Sequence, residues 1–124
     1  MAKEFEASKP IYIQIADKIF QQIVRAEIRP GDKLPSVREM AIQSGVNPNT
    51  IQRTYTEMER MGVVETKRGQ GTFVVEKEEI VMEMKHSMQK EIIGQFVNSM
   101  KELGLSKKQI VTGLDDFLKE GEQL

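Results

Sequence analysis

Apolar residues recur at Ile11, Ile15, Ile19 and Ile23, with Tyr12, Ala16, Phe20 and Val24 beside them. That four-residue step is the stripe of an amphipathic helix, expected to end near Glu27. Pro10 stands before it, where a missing N–H costs nothing. Arg29-Pro30-Gly31-Asp32 then breaks the period and makes a turn. Lys33-Leu34 reads as extended, because the residue before Pro35 is pushed out of the helical region.

Ser36-Val37-Arg38-Glu39 has the spacing of a capping box and predicts a brief second helix with Val37, Met40 and Ala41 inward, ended by Gly45. Asn47-Pro48 opens a third helix, with an N-cap side chain followed by proline at the first helical position. Its apolar positions Ile51, Tyr55 and Met58 are spaced four and three apart, and it closes near Met61-Gly62. Two short helices joined by a glycine-containing turn are a helix-turn-helix. The period then changes to two. Val63–Thr66 and Thr72–Val75 predict strands around the turn Lys67-Arg68-Gly69-Gln70-Gly71, which makes a β-hairpin or wing.

From Glu76 the helical period returns. Val81, Met84, Met88, Ile92, Phe96, Met100 and Leu103 step by three or four along about seven turns. Ser106-Lys107-Lys108-Gln109 repeats the capping-box spacing and opens a last helix carrying Ile110, Val111, Leu114, Phe117 and Leu118. The expected fold is mainly α with a small β-hairpin: a winged helix-turn-helix domain over residues 1–76 and a two-helix dimerisation region over 77–124. Those two helices, roughly 45 residues, are too few to close a core of their own. Pairing with a second copy is the economical cover, and a twofold homodimer is the commonest solution. The candidate seam is Val81, Met84, Met88, Ile92, Phe96, Met100, Leu103, Leu114 and Phe117.

Composition narrows the function. The chain of 124 residues has 39% hydrophobic and 30% charged residues, ordinary for a globular protein. No apolar run reaches the length of a membrane span, and Met1–Glu6 lacks the apolar centre of a signal peptide. The absence of cysteine excludes disulfides and thiolate metal sites. Together these features lead to an expectation of a cytoplasmic protein. A net charge of −1 is unusual for a nucleic-acid binder, yet residues 1–75 carry +2 and residues 76–124 carry −3. Binding would depend on where a few cations stand.

With Ile51, Tyr55 and Met58 inward, Asn49, Gln52, Arg53 and Thr56 face the other way, and these side chains read base edges or hold phosphates. In a helix-turn-helix the second helix of the pair enters the major groove. Asn47 and Thr50 sit at its start, where free backbone N–H groups and the dipole favour a phosphate. Arg38, a cation in the first turn of the preceding helix, is mismatched with the dipole unless an anion joins it. Lys67, Arg68, Gly69 and Gln70 form a wing tip in which glycine permits close approach to a phosphate backbone. Each group has a plainer alternative: a solvated helix face, a surface ion pair, an ordinary turn. No catalytic set is visible. His86 is the only histidine, and Glu78-Glu79 and Asp115-Asp116 are neighbours that point apart on a helix. No catalytic residue, metal site or cofactor is expected.

Three runs resemble the GntR family of transcriptional regulators. Pro30–Ala41 is similar to the opening of its DNA-binding domain, Val46–Tyr55 to its reading helix, and Arg68–Val74 to its wing, all in one unbroken order. The Asn47-Pro48-Asn49-Thr50 start and the short two-helix tail look like the YtrA subfamily. The resemblance implies a homodimer that binds a double-stranded, palindromic operator, usually as a repressor and often of a neighbouring transporter operon. It implies DNA contacts from Arg38, Asn47, Asn49, Thr50 and Gly69. The chain departs from other subfamilies at Pro48 and Gln52, where arginines can stand, which shifts work to Arg53 and Arg68. A larger C-terminal domain of the kind that senses metabolites in other members is not expected from these residues, which leaves any small-molecule effector undefined. Two competing readings are a winged helix turned to protein–protein contact and a sensor that admits an apolar ligand at the dimer seam.

Overall fold

The structure is a computed structural model and describes residues 8–122. Met1–Glu6, read above for a leader, lies outside the described residues, as do the outermost ends of both expected domains. The elements in order are α1 (Ile11–Val24), α2 (Val37–Ser44), α3 (Pro48–Arg60), β1 (Val64–Lys67), β2 (Gly71–Val74), α4 (Glu78–Glu102) and α5 (Lys107–Glu122). This is the mainly helical, winged helix-turn-helix architecture that the periodicities imply.

The α1 stripe is buried at Ile15, Ala16, Ile19, Phe20 and Ile23. The helix ends at Val24, three residues before the expected limit. Ala26 takes a left-handed φ of 62°. Its N–H bonds Ile23 O at 3.0 Å and the Glu27 N–H bonds Gln22 O at 2.9 Å. Those paired bonds are a Schellman closure with alanine in the place glycine normally takes. No glycine marks the stop.

In α2 the capping box forms as its spacing predicts: the Glu39 N–H donates to Ser36 Oγ at 3.1 Å and the Ser36 N–H to Glu39 Oε1 at 2.9 Å. Met40, Ala41 and Ser44 are buried, Val37 is half-buried, and Gly45 closes the helix at φ 68°. α3 packs on α1, α2 and β1. It buries Ile51, Tyr55 and Met58, and also Thr54, a polar residue absent from the expected core. Thr54 Oγ1 lies 3.0 Å from both Tyr12 O and Thr50 O, so its one proton ties α3 to the start of α1 without leaving a buried hydroxyl unsatisfied. The Tyr55 hydroxyl donates to Pro35 O at 2.7 Å.

β1 and β2 pair antiparallel from Val64↔Val74 to Lys67↔Gly71, each strand displaced by about one residue from the expected limits. Lys33-Leu34 is extended, and it does more than connect. Gly31 N–H bonds Val74 O, Val74 N–H bonds Asp32 O and Leu34 N–H bonds Thr72 O, each at 2.8 Å, with Lys33 opposite Phe73. The wing is therefore braced along its second edge by the segment that leads into α2.

The chain divides into two compact units between Lys85 and His86, within α4. The first holds α1–α3, the hairpin and the opening turns of α4, where Met84 is buried. In the second, Ser106 and Gln109 exchange capping-box bonds of 2.8 and 3.2 Å. Ile110 is buried there, and a Cβ placed on Gly113 of α5 would lie 3.9 Å from the Met100 methyl of α4. Ile92, Ile93, Leu103, Val111, Leu114, Phe117 and Leu118 are exposed. Among the described residues, no helix is long and apolar enough to cross a membrane.

Candidate nucleic-acid interface

The polar side of α3 is set by what its other side buries. With Ile51, Thr54, Tyr55 and Met58 inward, Asn49, Gln52, Arg53 and Thr56 are all exposed, as their spacing implies. Asn47 is exposed and Thr50 half-buried. The start of this helix offers fewer free N–H groups than expected. Pro48 has none, Asn47 Oδ1 accepts the Asn49 N–H at 2.8 Å, and Asn47 O accepts the Thr50 N–H at 2.9 Å. What the helix start offers an anion is the dipole and side-chain donors, including the Asn47 amide nitrogen, while its first N–H groups are already used.

Gln52 and Thr56 lie one turn apart, with Gln52 Nε2 3.4 Å from Thr56 Oγ1, a long bond that an incoming acceptor can replace. The Arg53 guanidinium carbon stands 4.0 Å from the centroid of the Tyr12 ring. Arg38 is exposed on α2 and shares the rim of one shallow depression with Asn47 and Pro48, so the helix-turn-helix brings these candidates side by side. Among the described residues, no carboxylate lies within ion-pair distance of Arg38, Arg53 or Arg68.

At the wing tip Lys67, Arg68, Gly69 and Gln70 are exposed. The Gln70 N–H bonds Lys67 O at 2.8 Å, and Gly69 occupies the third turn position at φ 76°, a value that a type II turn requires and glycine adopts without strain. Lys67 is shared: Nζ lies 3.9 Å from Glu65 Oε1 and 4.7 Å from the Phe73 ring centroid. Lys33 also reaches this surface. A Cβ on Gly71 would meet Lys33 Cε at 2.8 Å, so the bare glycine leaves room for the lysine stem. Sequence reasoning overlooked Lys33 and Tyr12, because both arrive through tertiary neighbours that no local spacing encodes.

Charge adjusts locally. Backbone and side-chain hydrogen bonds from Ser36 hold Glu39 below the usual carboxylate value. The side-chain bond from Arg60 holds Glu57 down as well, helped by the charges of Arg60 and Arg53. Burial pushes the Tyr55 phenol up, with the charge of Glu39 adding to it.

Of the candidate seam residues, Val81, Met88, Phe96 and Met100 are half-buried, Met84 is buried, and Ile92, Leu103, Leu114 and Phe117 are exposed. His86 is exposed beside Gln89, Lys90 and Ile93. No group of three or more His, Cys, Asp or Glu residues among the described residues is placed to hold a metal ion.

Comparison with known proteins agrees with this geometry. Residues 11–74 match the family described as bacterial regulatory proteins, gntR family. The HTH-type transcriptional regulator YhcF of Bacillus subtilis is 61% identical over 98% of this chain and 100% of its own length. The HTH-type transcriptional repressor YtrA of the same organism is 37% identical over 92% of this chain and 85% of its own. A solved GntR family transcriptional regulator from Listeria monocytogenes superposes with a TM-score of 0.85 at 38% identity, covering 90% of this chain and 98% of that one. The DNA-binding domain of AraR, solved in complex with its operator ORX1, superposes with a TM-score of 0.54 at 27% identity over 60% of this chain and 93% of that domain. The first three of these relatives are described as regulators or repressors of transcription.

Proposed function

We propose that this chain, which belongs to the gntR family of bacterial regulatory proteins and is a transcriptional regulator with a winged helix-turn-helix DNA-binding domain, acts as a homodimeric repressor on a palindromic operator. The observation that carries the reading is the two-sidedness of α3: one face wholly buried, the other presenting Asn49, Gln52, Arg53 and Thr56 to solvent. A helix so mounted fits the major groove, with Gln52 and Asn49 suited to base edges and Arg53 to phosphate or guanine. Arg38, Asn47 and Thr50 take the flanking backbone, and Lys67, Arg68, Gly69 and Gln70 follow the strand past the groove. Residues 1–76 thus bind DNA, and 77–124 pair two copies.

The exposed apolar residues of α4 and α5 support the pairing. Ile92, Leu103 and Phe117 are 63, 75 and 72% exposed in a single copy, and an apolar surface of that extent marks an interface. A twofold pair presents two reading helices about one DNA turn apart, which is why the operator is expected to be palindromic. Repression follows YtrA, and operator binding follows the AraR complex. Control of a neighbouring transporter operon, exercised in the cytoplasm where the chromosome lies, completes the proposal.

The test is fluorescence anisotropy with duplex DNA from the region upstream of the chain's own gene, repeated across salt. If the dimer neutralises roughly ten phosphates, affinity falls by about 10³–10⁵ between 50 and 200 mM salt. A response flat in salt overturns the reading.

A further inference from the structure

Arg53 is the one candidate contact whose guanidinium rests on an aromatic ring. Tyr12, the second residue of α1, lies under it at 4.0 Å. The backbone that carries the ring is anchored, since the hydroxyl of Thr54, next to Arg53 in the chain, donates to the Tyr12 carbonyl 42 residues away. One turn further along α3 stands Glu57, at the i,i+4 spacing where a carboxylate captures an arginine. It does not capture this one. Arg60 holds Glu57 in a fork, with Nε at 3.1 and 2.7 Å from the two oxygens and Nη2 at 2.8 Å from Oε1.

We propose that Tyr12 and Arg60 are positioning residues for Arg53: the ring fixes the plane of its guanidinium, and Arg60 occupies the carboxylate that would otherwise draw it back along the helix. Stacking uses the face of the guanidinium and leaves its N–H edges to donate in the plane. The side chain thus meets the DNA already ordered, and little of its freedom remains to be lost on binding. Arg60 acts without touching DNA; its role is to keep Glu57 neutralised. The inference rests on α3 being the DNA-contacting helix, as proposed above.

Affinity for operator DNA is measured for the wild type and for Tyr12→Phe, Tyr12→Leu, Arg60→Gln, Glu57→Gln and the Arg60→Gln/Glu57→Gln pair, with the melting midpoint of each. Tyr12→Phe keeps the ring and stays near wild type. Tyr12→Leu binds roughly threefold to thirtyfold more weakly, the range a ring–cation contact supports, and has no further effect in an Arg53→Ala background. Arg60→Gln weakens binding and adding Glu57→Gln restores it, and this loss and recovery disappear in an Arg53→Ala background, which a direct Arg60–phosphate contact does not permit. Should Tyr12→Leu fail to fold, the exposed Arg60 variants decide the question alone. Wild-type affinity in both Tyr12→Leu and Arg60→Gln, or a double variant as weak as Arg60→Gln, overturns the inference and leaves the functional reading standing. A wild-type chain that binds no duplex overturns both.

Discussion

Phe117→Ala is the sharpest probe of the proposed dimer. Phe117 is 72% exposed in a single copy, on a helix whose neighbouring Val111, Leu114 and Leu118 are also exposed. Complete burial of a phenylalanine side chain contributes at most about 3 kcal/mol. Covering the exposed fraction is therefore worth about 2 kcal/mol in each copy. A twofold interface contains the residue twice, so truncation costs about 4 kcal/mol of association, roughly a thousandfold in dimer Kd. Leu114, 43% exposed, should lose about half as much free energy on the same reasoning. Sedimentation equilibrium over a range of concentrations reads the constant directly. The helix-turn-helix core is untouched, so the variant should retain its circular dichroism while its half-dissociation concentration rises. A wild-type chain that sediments as a monomer, or a variant whose Kd stays within threefold of it, refutes the reasoning.

Other expectations follow from the local geometry. Ser36→Ala removes the α2 cap and should cost about 1 kcal/mol, measured by urea denaturation at neutral pH. Glu39 titrates low in the folded chain, so the stability it adds is complete above the ordinary carboxylate value and is lost as pH falls through the lowered one. NMR titration should find its folded value below that of the unfolded chain in the wild type, and raised toward it in Ser36→Ala. Ala26→Gly relieves the left-handed alanine at φ 62° and should stabilise by about 0.5–1 kcal/mol, after allowance for the more flexible unfolded chain; an unchanged or lower melting midpoint contradicts this. Gln52→Ala should blunt discrimination at particular base pairs, whereas Arg68→Ala should weaken binding to every sequence alike, a contrast read by anisotropy on a panel of single-base operator variants.

What could be seen in the linear chain was whatever a few neighbouring residues decide. Ser36 and Glu39, Ser106 and Gln109, and Asn47 with Pro48 announce helix starts because capping is settled within four residues. The inward and outward faces of α3 were visible for the same reason, since helical period depends only on spacing. The end of α1 was not, because Ala26 adopts a conformation for which alanine gives no signal, and only the tertiary setting holds it there. Thr54 escaped the expected core because its hydroxyl is satisfied by Tyr12, a residue far away in the chain. The brace of Gly31–Leu34 against β2, and the approach of Lys33 to Gly71, depend on strands separated by some forty positions. The supply of free N–H groups at the start of α3 was overestimated, because the Asn47 side chain that makes the cap also consumes one of them.

That same brace has a mechanical consequence. Val74 bonds Asp32, Leu34 bonds Thr72, and the next residue, Pro35, receives the Tyr55 hydroxyl from the middle of α3. Hairpin and reading helix are thereby lashed to one strip of backbone, which ends at the cap of α2. If the wing and α3 contact DNA as proposed, these bonds would hold Arg68, Ser36 and the face of α3 in a fixed relation, and the spacing between groove and flanking strand would be set before any DNA arrives.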